Sequence, residues 1–194
     1  MNKTLLTIIV VIAFVFIGGC SSYSSLVAKQ EKATTSWADV QSTYQRRADL
    51  IPSLVETVKG YAKHESQTLE AVVNARAKAT SITVDPDNLT PEKLEQFQKA
   101  QGELSQALGK LLAVQENYPD LKANENFKDL QVQLEGTENR INEARLKFNK
   151  AVQEYNISVR RFPTAMFAGV LGFEKMDKFE ADAESQKAPK VSFD

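Results

Sequence analysis

The chain carries one histidine, one cysteine and a few polar side chains at helical spacing, so the chemistry open to it is narrow. His64 alone cannot assemble a His-rich zinc site or a Ser-His-Asp arrangement. It has Tyr61 three residues before it, whereas a di-iron bundle needs Glu-x-x-His on two helices. A surface or capping role for His64 follows. Glu135, Glu138 and Glu143 supply carboxylates in one stretch, yet Glu-rich helix surfaces are common and no pocket-forming pattern surrounds these three. No catalytic constellation, metal set or cofactor motif emerges, and the chain is expected not to be an enzyme.

Two polar groupings remain. Asn142, Asn149 and Asn156 recur every seven residues, and Arg145 follows Asn142 by three, so all four lie on one flank of a helix beside its apolar seam. Such a stripe either fixes register by hydrogen bonds between helices or lines a groove that binds a small or polymeric ligand. Arg46, Arg47, Asp49 and Glu56 cluster around Pro52. Arg buries its stem and pairs with carboxylates between helices, so a structural ion-pair cluster with Asp49 or Glu56 is expected there.

The elements that position these residues are helical. In 194 residues there are only eight Gly and six Pro, and the 42% hydrophobic content suits one domain with a real core. With 24 Lys and Arg against 25 Asp and Glu, the net charge of −1 provides no field for nucleic acid. Apolar positions Ala33, Trp37, Val40, Tyr44, Ala48 and Ile51 form one stripe. Pro52 then predicts a kink or restart, with Ser53 to Glu56 spaced as a capping box. A second stripe runs from Leu54 to about Thr80, and its charged members Glu65 and Arg76 imply partial exposure. Residues 81–90 read as a linker. Thr90 caps a third helix with Pro91 at its first position, whose seam of Leu94, Phe97, Gln101, Leu104, Leu108 and Leu111 ends near Asn117. After the turn at Pro119, Asn124 caps the longest stripe, from Phe127 to Phe162, and Pro163 closes it. The expected fold is all-α: an elongated antiparallel four-helix bundle over residues 31–163. Residues 164–194 are expected to contribute a short helix across a bundle end, then an extended or loose tail.

The N-terminus is an address. Lys3 precedes the apolar run Leu5 to Ile17, then come Gly18, Gly19 and Cys20, the order of a secretory signal. A helix over Leu5 to Gly19 spans roughly 22 Å, short of the ~30 Å hydrocarbon core. Ile17-Gly18-Gly19-Cys20 resembles a lipobox, making Cys20 the candidate lipidation site, with residues 1–19 removed and 20–30 a tether. The alternative is an uncleaved membrane anchor. Either way Lys3 stays inside and the remainder lies on the extracytoplasmic side.

The residues also resemble a known family. Tyr23 to Val27, Trp37, the run Gln45-Arg46-Arg47-Ala48-Asp49-Leu50-Ile51-Pro52 with its continuation to Glu65, and Ala75-Arg76 are similar to the LemA family. So are Tyr118-Pro119-Asp120-Leu121, Asn124 to Phe127, Glu135 to Ile141, Ala144-Arg145, Asn149, Tyr155-Asn156 and Phe162-Pro163. The likeness covers Tyr23 to Phe193. It implies a four-helix, membrane-anchored domain outside the cytoplasm with no established enzymatic activity. The family usually has Asn where this chain has Ser24 and Ser53, and it often begins with a plain transmembrane helix. Together these expectations describe an envelope scaffold that meets an unidentified protein partner, or further copies of itself; the runner-up is a ligand-binding module using the Asn142 to Asn156 flank.

Overall fold

The computed structural model describes residues 3–86 and 89–179, with most side chains before Ser21 outside the described part. All regular structure among the described residues is helical: α1 (Lys3–Tyr61), α2 (Ser66–Ser81), α3 (Pro91–Ala113), α4 (Pro119–Ala123), α5 (Glu125–Arg160) and α6 (Ala165–Ala168), with a 3-10 turn over Val114–Asn117 after α3. α1 and α5 run antiparallel along their lengths, joined by Lys29 to Ser158, Lys32 to Glu154 and Arg47 to Glu138. α2 and α3 form an antiparallel hairpin tied by Lys78 to Glu103 at 2.6 Å.

The stripes become the core. Ala33, Trp37, Val40, Tyr44, Ala48 and Ile51 are all buried, as are Leu94, Phe97, Gln101, Leu104, Leu108 and Leu111 on α3. At one end α1, α2, α3, α4 and α5 share a cluster containing Leu54, Val72, Leu104, Leu121 and Phe127. Beside it an aromatic cluster surrounds Trp37, whose ring centroid lies 5.4 Å from Phe97, 5.3 Å from Phe148 and 5.6 Å from Phe179. The Trp37 indole N–H donates to the Val84 carbonyl at 3.1 Å, which pins the linker over α1. Two of the expected caps form, Asn124 accepting from the Phe127 amide at 2.9 Å and Thr90 from Lys93, whereas the box expected at Ser53 to Glu56 does not, because Ser53 lies inside α1.

Pro52 does not break the helix. α1 continues as helix through it, and the chain reverses instead at residues 62–65, where His64 is exposed. A proline inside a helix lacks the N–H that should reach the carbonyl four residues back, at a cost of about 3 kcal/mol. That carbonyl belongs to Ala48, and Arg76 of α2 donates its Nε–H to it at 2.8 Å. Packing of α2 therefore replaces the missing backbone donor. Residue 76, a charged member of its stripe, is turned inward for this purpose. Arg76→Ala is expected to cost about 1–3 kcal/mol by orphaning the Ala48 oxygen. In a Pro52→Ala background, where the amide is restored, the same change should cost well under half as much. A double-mutant cycle by urea denaturation checks this; equal costs in both backgrounds would disprove the coupling.

The backbone places two further segments. Residues 20–30, read as a tether, lie within α1. The C-terminal helix is a single turn, α6, and the chain then turns at Gly172, whose φ of +78° suits glycine. The Phe173 amide closes back on the Ala168 carbonyl at 2.9 Å, a Schellman-type bond that sends residues 174–179 along α5. The tail after Phe179 and the side chain of Cys20 lie outside the described residues.

Candidate functional site

Of the two polar groupings, the first closes around Arg47. It is 1% exposed although it carries a permanent charge. One terminal nitrogen donates to Ser105 Oγ at 2.8 Å and to Glu138 Oε1 at 2.5 Å. The other donates to the Gln101 carbonyl at 3.2 Å and to Gln101 Oε1 at 2.6 Å. Only Nε lacks a hydrogen-bond partner, and the guanidinium stands 5.1 Å from the Tyr44 ring centre. Burial raises the Tyr44 phenol above its ordinary pKa, against the opposing pull of Arg145 and Arg47. One side chain of α1 thus links α3 and α5.

The expected partners of Arg47 are elsewhere. Asp49 is exposed and accepts from Gln45 at 2.7 Å, Glu56 is exposed with Lys59 at 4.0 Å, and Arg46 faces solvent. The ion-pair cluster expected around Pro52 is therefore replaced by a hub in which Glu138 and Gln101 take the roles assigned to Asp49 and Glu56. Gln101 was legible only as a member of the α3 seam; a polar residue in an otherwise apolar seam was the available signal.

The second grouping holds the chain's own C-terminal segment. Asn149 donates its amide to the Phe179 carbonyl at 3.0 Å and accepts from the Phe179 N–H at 2.9 Å. Asn156 does the same with Met176, at 2.8 and 2.9 Å. Seven residues of helix advance about 10.5 Å, and three extended residues advance about 10 Å. The two periods match, so each asparagine meets an equivalent backbone unit. Burial on the segment follows the same step of three, at Phe173, Met176 and Phe179. Arg145 completes the grip with its guanidinium 4.7 Å from the Phe179 ring centre. Asn142, one more step of seven along α5, is exposed.

The carboxylates do not converge. Glu135 accepts from Gln131 at 3.1 Å, Glu138 faces Arg47, and Glu143 pairs with Lys147 at 2.8 Å, which lowers the Glu143 carboxyl below its usual range. Among the described residues no group of three or more His, Cys, Asp and Glu is placed to hold a metal ion. The recess beside Gln41, Tyr44 and Gln101, about 310 Å³, is open to solvent.

A model of the LemA family matches residues 36–193, a stretch that includes Arg47, Pro52, Arg76 and both asparagine clamps. The chain belongs to the LemA family. Its relatives include magnetosome protein MamQ of Magnetospirillum gryphiswaldense, 24% identical over 81% of this LemA chain and 64% of MamQ. Magnetosome protein MamQ 2 of Paramagnetospirillum magneticum is 24% identical with the same coverage, and protein LemA of Metamycoplasma hominis is 23% identical over 87% of this chain and 72% of its own length. This LemA chain thus spans 64% of the MamQ relatives' length.

Proposed function

We propose that this LemA-family chain is a non-catalytic, membrane-anchored envelope protein: a four-helix rod that an N-terminal lipid on Cys20, or an uncleaved apolar helix, holds on the extracytoplasmic side, and that presents its outer face to a protein partner. The observation carrying this is internal consumption of the polar groups. Asn149 and Asn156 are taken up by Phe179 and Met176, and Arg47 by Gln101 and Glu138. This argues against the ligand groove, since the amides that would read a ligand read the chain's own backbone. The relatives' names support the same view only in that they denote a place or a family and no reaction.

What stays available is the outer face of α5. Val132, Leu146 and Ile157 are 67, 71 and 53% exposed and fall within a narrow arc at about 100° per residue. Photocrosslinking from Leu146 in intact membranes is expected to capture a reproducible partner, or a second copy. Leu146→Glu should abolish that capture while leaving thermal stability within about 0.5 kcal/mol, as for an exposed site. Loss of capture with no stability change supports the scaffold; absence of any specific adduct from wild type rejects it.

A further inference from the structure

The end of the molecule where α1 leads into the Leu5 to Ile17 run carries features that partner presentation does not use. Phe162, Met166 and Val170 are 76, 65 and 89% exposed, and Leu171 and Tyr23 are also open. Five large apolar side chains around one loop exceed the single exposed leucines that any surface shows. The loop is placed by contacts with α1: the Gly19 Cβ position lies 3.9 Å from the Phe167 ring, Tyr23 stacks edge-on to Phe173 at 5.6 Å, and Leu26 shares a cluster with Ala168 and Phe173. Tyr23 and Leu26 lie three and six residues beyond Cys20 and six and nine beyond Ile17, so at about 1.5 Å per residue the loop they hold stands within roughly 14 Å of either anchor, the lipid or the apolar run. That is the depth of an interfacial layer.

Beside the loop, four cations line one depression of about 520 Å³: Arg160, Arg161, Lys175 and Lys178, with Gln153, Asn156 and Ile157 and, among the described residues, no carboxylate in its wall. None of the four has an ion-pair partner among the described residues. Two of them come from the end of α5, and two from the extended segment that the asparagines clamp in place. The clamps thus bring together charges far apart in sequence.

We propose that residues 162–171 and this four-cation depression form a second membrane contact, seated at the surface of an anionic leaflet: the apolar side chains enter the interfacial layer and the cations face lipid phosphates. This rests on the anchored state proposed above. The anchor sets the distance to the bilayer, and the contact adds orientation. Amphipathic loops and polybasic clusters both act at this depth, each weakly alone and together firmly.

The test uses the full chain reconstituted into vesicles of mixed phosphatidylcholine and phosphatidylglycerol, with brominated phospholipid as quencher. Val170→Trp is expected to add emission that brominated lipid removes, whereas the emission added by Val132→Trp, an exposed site on the distal half of the rod, is left intact. Exchanging all four cations for Gln, or using pure phosphatidylcholine, should restore much of the Val170→Trp emission. If the chain floats with the vesicles but the two reporters respond alike, the second contact is wrong and the anchor stands. A blue-shifted Val170→Trp emission that brominated lipid does not quench means protein covers the loop, which also overturns the contact. If the chain does not float at all, anchor and contact fall together.

Discussion

Arg47→Ala is expected to destabilise the protein by about 3 kcal/mol, within the range for breaking a buried charged pair, and to lower its melting temperature by roughly 6–12 °C for a chain of this size. The cost has a specific origin. Glu138 is 44% exposed and can turn to water when its partner is lost, and the Gln101 carbonyl keeps Ser105 Oγ as a donor, but the buried Gln101 side-chain oxygen has no such recourse. Most of the penalty therefore belongs to a buried neutral acceptor left without its donor and to the lost packing of the Arg47 stem, not to the salt bridge. A ranking follows that a calorimetric scan of variants checks. Glu138→Gln should cost no more than about 1 kcal/mol, since a half-exposed ion pair contributes little and the amide oxygen still accepts. Arg47→Lys should recover less than half of the Arg47→Ala loss, because an ammonium cannot present two nitrogens to two helices at once. If Glu138→Gln proves as damaging as Arg47→Ala, the charge and not the buried acceptor carries the hub.

The second large effect is release of the C-terminal segment. Asn149→Ala or Asn156→Ala removes two hydrogen bonds and strips a backbone unit of both its partners, at about 1–3 kcal/mol each. The two together should free residues 174–179, and Phe179 would leave the aromatic cluster around Trp37, adding about 1.5–3 kcal/mol of lost burial. Trypsin provides the readout, because Lys175 and Lys178 lie on the clamped stretch: cleavage there should accelerate strongly in the double variant. Asn149→Asp separates the two halves of the clamp. It keeps the acceptor for the Phe179 amide but sets a carboxylate against the Phe179 carbonyl, and it should be nearly as damaging as Ala. Asn142→Ala, at an exposed position, should change neither stability nor cleavage. Unaltered proteolysis in the double variant would show that the aromatic packing alone holds the segment.

These two features mark the boundary of what the sequence displayed. The seams on α1, α3 and α5 were legible because burial repeats at helical period, and residue after residue falls inside as its spacing requires. The heptad of asparagines was equally visible. Its occupant was not, because an asparagine amide is indifferent to whether it meets a helix, a ligand or an extended backbone; only the match between seven helical and three extended residues decides it, and that match is a property of the folded pair. Pro52 misled for a related reason. Local chemistry at Pro52 calls for a break, and the donor that removes the need is Arg76, on another helix and 24 positions away. Arg47 likewise sits beside Asp49 in sequence, but residues two apart on a helix point in different directions, so its partners had to come from α3 and α5.

The uninterrupted passage of α1 through Pro52 has a mechanical consequence. From residue 20 to Tyr61 the helix measures about 62 Å, unjointed, with α5 strapped along it. Pivoting such a beam by about 10° at its lower end sweeps the far turn, with His64 and α4, through roughly 11 Å. A hinge at Pro52 would have absorbed that movement; a splint formed by one arginine transmits it.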